Sequence, residues 1–353
     1  MNGRVEVHVS LGRKYQYDFV LNRKFTFIRG GSGEGKTVLA SYVEQATREI
    51  AGFNVNARNL HTGKKIPFLR GGFGENWKKQ LVDFHDTVFI YDEDDPFIKS
   101  NEFAELASSS HNYFIIVSRY RHSNIPYSEK EIYQIKNSGK YNTIEPLHKT
   151  NDKFPIEKRE YSAVLTEDSG SGYQFFSLLF PDSNVIPAKS NSKIPRILEN
   201  LLGNKSDKRI LVIYDSAAFG PYIQQIEDIC RRFPQRIDIF APESFEYLLL
   251  RSDMFKGQLP VDDLLTASWN YANDKHASWE RFFTALLIRI TETRKRALYS
   301  KSSLSSCYKS NCCHLHDSCV FFAEGDKIEG IIRSYNTSFY TSNVFQQRKP
   351  KGD

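Results

Sequence analysis

The sequence predicts an α/β protein of two successive α/β domains, followed by a helical stretch and a small C-terminal Cys/His module. Three observations carry this. An apolar run, Phe25 to Ile28, enters a glycine-rich turn, and Lys36-Thr37 then open an apolar-periodic helix through Val38, Leu39 and Tyr42. Further apolar runs of strand length end in acidic residues, as buried parallel strands do when they deliver polar groups to their carboxyl edge. Between the two series lies 137–160, rich in Lys, Asn and Thr, with Pro146 and Pro155 and little periodicity. The expected boundaries are 1–136 for the first domain, 137–160 for a linker, 161–255 for the second domain, 256–300 for the helical region and 301–345 for the Cys/His module.

The chain of 353 residues is long enough for two cores. A net charge of +6 permits nucleic-acid binding without arguing for it. The start, Met1-Asn2-Gly3-Arg4-Val5-Glu6, lacks the apolar core of a signal peptide. No run approaches the ~20 apolar residues of a membrane span. A cytoplasmic location without membrane contact is the expectation.

In order, Val5 to Val9 alternates and Tyr15 to Leu21 is extended, so the two read as a hairpin. Gly30, Gly35, Lys36 and Thr37 then fit G-x-x-x-x-G-K-[ST], the phosphate-binding loop. Its glycines let the backbone turn sharply and bring N–H groups to an anion, and the helix N-terminus adds its positive dipole end. The loop residues Gly30, Gly31, Ser32, Gly33, Glu34 and Gly35 would cradle phosphates. Lys36 would reach the β- and γ-phosphates, and the Thr37 hydroxyl would ligate Mg²⁺. Phe53 to Asn56 reads as a short strand and Arg58 to Gly74 as a polar loop. Thr87 to Tyr91 is a buried strand delivering Asp92 and Glu93, the Walker B pattern. Asp92 would hold Mg²⁺ and Glu93 would polarise the attacking water; an ordinary strand ending in an acidic turn is the alternative. Tyr113 to Val117 repeats the theme. Ser118 would sense the γ-phosphate, and Arg119 or Arg121 would stabilise transition-state charge or serve as surface charges.

This layout resembles the additional-strand P-loop ATPases, the group that includes the AAA+ and ABC ATPases. The resemblance implies a P-loop NTPase sheet that binds and hydrolyses ATP with Mg²⁺. No ABC signature is found, which argues against an ABC-type dimer. No guanine-reading Asn/Thr-Lys-x-Asp motif occurs, which favours ATP over GTP.

In the second domain, strands at Tyr161 to Thr166, Val185 to Ala188, Arg209 to Tyr214 and Ile237 to Phe240 alternate with helices. Glu167, Asp168, Asp215 and Glu243 all fall just past strand ends, where a parallel sheet would gather them. Carboxylates held that close repel unless a hard cation such as Mg²⁺ joins them. Here the order strand-Glu, helix, strand, helix, strand-Asp, with a glycine-rich turn after the glutamate, resembles the TOPRIM domain of topoisomerases, primases and overcoming-lysogenisation-defect nucleases. The resemblance implies a metal-dependent nuclease acting on DNA, controlled by nucleotide state, in a mobile-element or anti-phage setting, with Glu167 in acid/base chemistry and Asp215 on metal; Asp168 and Glu243 are further metal candidates by their placement. The family's Asp-x-Asp is incomplete: Ser216 and Ala217 follow Asp215, so Glu243 or Glu246 would supply the remaining ligand. The rival is a nucleotide-switched regulatory protein whose second domain binds a protein partner.

Leu264 to Leu298 has helical periodicity. Beyond it, Cys307, Cys312, Cys313, His314, His316 and Cys319 place six soft ligands within thirteen residues. Zinc takes four such ligands tetrahedrally. Cys307, Cys312 or Cys313, and Cys319, with a histidine such as His316, are the candidates; redox chemistry or packing is the alternative. The sequence leaves the oligomeric state open.

Overall fold

The structure is a computed structural model that describes residues 2–12, 15–30, 35–72, 76–137, 142–148, 161–203, 208–252, 254–255, 257, 260–273, 275–295, 297–309 and 338–341. It is a mixed α/β protein with two compact units, one made of Met1–Lys149 and Ala267–Trp279, the other of Thr150–Thr266 and Glu280–Asp353.

The first unit opens with the expected hairpin, β1 (Val5–Leu11) and β2 (Tyr15–Leu21). After β3 (Phe25–Arg29) and α1 (Lys36–Thr47) come β4 (Phe53–Asn59), β5 (Lys65–Ile66), β6 (Phe68–Arg70) and α2 (Asn76–Asp83). Then follow β7 (Val88–Asp92), α3 (Asn101–Ser109), β8 (Tyr113–Val117), β9 (Ile132–Asn137) and β10 (Asn142–Pro146). A small antiparallel sheet has the order β2-β1-β4-β5. The main sheet has the order β10-β9-β3-β8-β7-β6, parallel from β9 to β6 with β10 as an antiparallel edge. β3, β7 and β8 are buried at every position, as expected of central parallel strands covered on both faces. One core joins Val5, Val7 and Val9 of the small sheet to Leu39 and Val43 of α1 and to Ile28, Ile90 and Ile115 of the main sheet.

Three expectations need correction. The span 58–74 is not wholly loop: β5 and β6 lie in it, and at two and three residues they are too short to show a period. The span 137–160 is not wholly linker, because β10 pairs with β9 there. Finally, the helical reading of 264–298 breaks into α8 (Val261–Thr266), a single turn at Ser268–Asn270, and α9 (Trp279–Thr291). The intervening segment groups with the first unit, and several of its polar groups bond there. Asn273 Nδ2 donates to the Asn22 carbonyl (3.0 Å), and Trp279 Nε1 donates to Asn273 Oδ1 (3.1 Å). The Gly3 amide donates to the Trp269 carbonyl at 2.8 Å. The Arg4 and Arg23 guanidinium carbons stand 4.5 and 3.7 Å from the Trp269 and Trp279 ring centroids, within cation–π range.

A buried carboxyl sits beside β3. Glu131 accepts from Thr26 Oγ1 (3.3 Å) and Tyr133 OH (3.4 Å), and Arg23 Nε lies 3.6 Å away. Burial pushes its carboxyl up to about 7, and Arg23 only partly opposes this. The folded state therefore holds a proton that the unfolded chain releases near the ordinary glutamate value. That contribution to stability is complete below about pH 4.5 and is lost as pH rises through about 7. Between pH 5.5 and 8 the thermal midpoint of the wild type should fall more than that of Glu131→Gln, which has no such proton. Equal falls would refute the assignment.

In the second unit the order is β11 (Tyr161–Thr166), α4 (Ser171–Leu179), β12 (Asn184–Pro187), α5 (Ile194–Leu202), β13 (Arg209–Ile213), α6 (Ile223–Arg232), β14 (Ile237–Ala241), α7 (Phe245–Leu250), then α8, the body of α9, α10 (Ser306–Lys309) and β15 (Ser338–Thr341). The sheet order is β12-β11-β13-β14-β15, parallel except for β15. Asp238, fully buried on β14, pairs with the Arg209 guanidinium on β13 and ties the amino ends of these strands together. No helix among the described residues is long and apolar enough to cross a membrane.

Candidate functional site

In the first unit the chemistry-bearing residues meet at the carboxyl edge of the parallel sheet. Gly35 precedes α1 with a left-handed φ of 83°, which glycine adopts at little cost. Its carbonyl accepts from Tyr17 OH at 3.2 Å, so the hairpin braces the turn. Lys36 is buried, and its Nζ donates to the Gly30 carbonyl (2.8 Å). Thr37 is exposed on the first turn of α1. Gly31, Ser32, Gly33 and Glu34 lie outside the described residues.

Asp92 ends β7 and is 6% exposed. Its backbone amide donates to Asp95 Oδ2 (2.9 Å), which also accepts from Arg70 Nη1 (2.8 Å). Arg70 on β6 thus locks the acidic turn, a role that no local sequence signal marks. Burial, the largest effect, raises the Asp92 carboxyl above its usual range; the hydrogen bond from the Glu93 amide and the Arg70 charge oppose it. Glu93 accepts from the Arg119 amide (2.9 Å) and Arg119 Nε (2.8 Å), with Nη2 at 2.6 Å. This hydrogen-bonded guanidinium, helped by the Lys36 charge, holds Glu93 below the carboxylate range.

Ser118 follows β8, its amide donating to the Ile28 carbonyl at 3.1 Å, and it is fully buried. Its hydroxyl accepts from the Tyr120 amide and shares a 3.0 Å hydrogen bond with His122 Nε2. Burial, with the Lys99 and Arg29 charges, pushes His122 down to about 4, so a neutral imidazole positions this serine at neutral pH. Arg121 is exposed.

The second unit has its own edge site. Glu167 and Asp215 follow β11 and β13, and the Asp215 amide donates to Glu167 Oε2 (2.9 Å). Asp215 Oδ1 accepts from the Phe245 amide at 2.9 Å. Both acids line a cavity of about 290 Å³ with Asp168, Glu246, Glu280, Tyr299 and Lys301. Burial is the main reason that Glu167, Asp215 and Glu246 are all raised; repulsion from Glu280 adds to it for Glu167, and repulsion from Glu167 and Glu280 adds to it for Asp215.

Of the residues expected on metal, Asp168 and Asp215 line this cavity together and Glu243 does not. Asp168 spends both oxygens on the amides of Gly172 (3.1 Å) and Tyr173 (2.8 Å), capping α4. Glu243 is buried before α7 but does not line the cavity. The position of the absent second aspartate is Ala217, which is buried. Among the described residues no three His, Cys, Asp or Glu side chains form a group that could hold a metal ion. The cation beside these acids is Lys301, whose Nζ bonds Glu280 Oε1 (2.8 Å) and lies 3.9 Å from Glu246 Oε1. Burial opposes its charge, yet Glu246 and Glu280 hold the ammonium above lysine's ordinary value. Glu280, Tyr299 and Lys301 were not candidates from sequence, for none lies in a motif or at a strand end.

Of the zinc candidates, Cys307 is buried on α10, whereas Cys312, Cys313, His316 and Cys319 lie outside the described residues. A scan against protein-family models gives no match, and neither does a search of curated proteins.

Proposed function

We propose that the first unit binds and hydrolyses ATP, and that nucleotide state sets the conformation of a regulatory protein. The observation that carries this reading is the placement of β8. It stands between β3, which leads into Gly30, Gly35 and Lys36, and β7, which ends in Asp92 and Glu93. An added strand in that place is what the resemblance to additional-strand P-loop ATPases implies. The donors there, the Thr37 hydroxyl and the Asp92 carboxylate, are the hard oxygens that Mg²⁺ takes. When bound, Mg²⁺ would offset charge on the phosphates. Lys36 supplies a second cation once its ammonium leaves the Gly30 carbonyl for phosphate. Glu93 orients and deprotonates water, and Ser118 with His122 behind it contributes a fixed hydroxyl.

Titration with a fluorescent ATP analogue in Mg²⁺ tests this. Lys36→Ala should weaken binding by about 100-fold or more, the scale of losing a charge-assisted phosphate contact of ~3 kcal/mol. Equal affinity in wild type and variant would remove the phosphate-loop reading.

A second reading keeps the TOPRIM-like nuclease on DNA, supported by Glu167 and Asp215 meeting at a parallel-sheet edge. Lys301 among those acids, and Asp168 committed to its cap, favour the regulatory reading instead. Mg²⁺-dependent DNA cleavage that is lost in Asp215→Asn would reverse that order.

A further inference from the structure

Arg29 ends β3, immediately before Gly30, and is only 5% exposed. The period of the strand puts it on the same face as Phe27. Phe27 stacks on Tyr127 with ring centroids 3.7 Å apart and lies 5.7 Å from the His122 ring. The guanidinium joins this aromatic layer. Its Nη2 donates to Tyr127 OH, and its carbon stands 5.8 Å from the Tyr127 ring centroid. Nε is buried without a hydrogen-bond partner.

No carboxylate balances this charge among the described residues. At the same sheet edge Arg70 pairs with Asp95 and Arg119 with Glu93, whereas Arg29 is in no ion pair among the described residues. Its neighbours are neutral as well. Burial holds the Tyr127 phenol above its usual value, so the hydroxyl keeps its proton. His122, down at about 4, is an uncharged imidazole, and Arg29 is one of the charges that keep it so. A buried charge with no counter-charge destabilises a folded protein, and an apolar side chain of similar length would suit this layer better. Arg29 nonetheless occupies the position that leads into the phosphate loop. Lys36 Nζ bonds the carbonyl of the next residue, Gly30, and His122 bonds Ser118 at 3.0 Å. Away from water a charge acts over a longer range and is screened less by salt than one on the surface.

We propose that Arg29 is a buried cation left uncompensated by the chain, and that the polyphosphate of the bound nucleotide is its counter-anion. Arg29 acts through space on the phosphate loop as a positioning residue. The empty protein is less stable for holding it, and the anionic ligand relieves that strain. The inference rests on the phosphate-loop reading of Gly30, Gly35 and Lys36.

The test uses the full chain and inorganic tripolyphosphate, with affinity from calorimetry and the thermal midpoint of the ligand-free protein measured beside it. Arg29→Met removes the charge and keeps most of the side-chain length. It should bind tripolyphosphate about tenfold more weakly than wild type, while its ligand-free midpoint rises by about 2 °C or more. Arg29→Lys restores the charge and should recover most of the affinity. A part that is merely structural would move both readings downward together. Affinity in Arg29→Met within about twofold of wild type overturns the proposal, and so does a lowered midpoint or a variant that fails to fold. Lys36→Ala separates this failure from a wider one. If Lys36→Ala loses affinity and Arg29→Met does not, the role of Arg29 falls alone. If the wild type does not bind tripolyphosphate, the phosphate-loop reading falls with it.

Discussion

Replacing Glu93 with Gln should slow ATP hydrolysis by about 100- to 10,000-fold while leaving ATP affinity close to wild type. The side chain sits just past β7, where under the proposed function a water attacking the terminal phosphate would need an acceptor. Its carboxylate is ionised at neutral pH because the Arg119 amide and guanidinium bond it. Gln keeps the shape and can still accept from the Arg119 amide, but it is too weak a base to take a proton from water. The loss should fall on turnover under saturating nucleotide, not on the concentration needed to saturate. Phosphate release with a parallel binding titration separates the two. A variant that hydrolyses at the wild-type rate would show that the base lies elsewhere. A variant that loses binding as well would show that Glu93 holds the loop rather than the water.

The largest expected effect on stability comes from Gly71→Ala. Gly71 follows β6, and its amide donates to the Ile90 carbonyl at 2.9 Å, drawing the backbone onto β7. A Cβ there would stand 1.9 Å from Tyr91 Cε1 and 2.3 Å from Cδ1. The Tyr91 ring has nowhere to go, because it is fully buried and packs edge-on against Phe97 and Phe103 at centroid distances of 5.5 and 5.3 Å. Overpacking of this kind costs about 1–3 kcal/mol when neighbours can shift, and more when they cannot. A loss of about 3 kcal/mol or more in chemical denaturation is expected. Because Tyr91 immediately precedes Asp92, nucleotide binding should weaken in the fraction that remains folded. A loss under 1 kcal/mol would mean that the ring relaxes.

What was legible in the sequence follows from how each element is stabilised. β3, β7 and β8 are covered on both faces, so their runs are continuously apolar and each could be read without context. The glycine turn before α1 was legible because Gly35 needs a positive φ. β5 and β6 were not, since strands of two and three residues carry no period and are held by their neighbours' ladders. Asp168 looked like a ligand because it follows a strand, yet the same position suits a helix cap, and α4 begins close enough to claim both oxygens. The partners of the acid cavity were the least legible. Lys301 and Tyr299 lie in irregular chain more than 130 residues after Glu167, and their placement depends on backbone bonds to α4 that leave no trace in composition. Arg70 was missed because it acts on the acidic turn from another strand, and His122 because a histidine four residues past Ser118 in irregular chain fits no motif.

The segment Ala267–Trp279 has a consequence for how the chain is made. The first unit is not one continuous stretch, since the indoles that face Arg4 and Arg23 are encoded after nearly all of the second unit's sheet. On the ribosome, where domains tend to form in the order in which they emerge, the amino-terminal 149 residues must wait for Trp269 and Trp279 before their last polar groups find partners. Until then the Arg4 and Arg23 guanidinium faces lack the indoles that cover them, and the nascent unit is open along that edge. A translational pause between 150 and 266 would therefore delay completion of the first unit, although the pause lies wholly within the second.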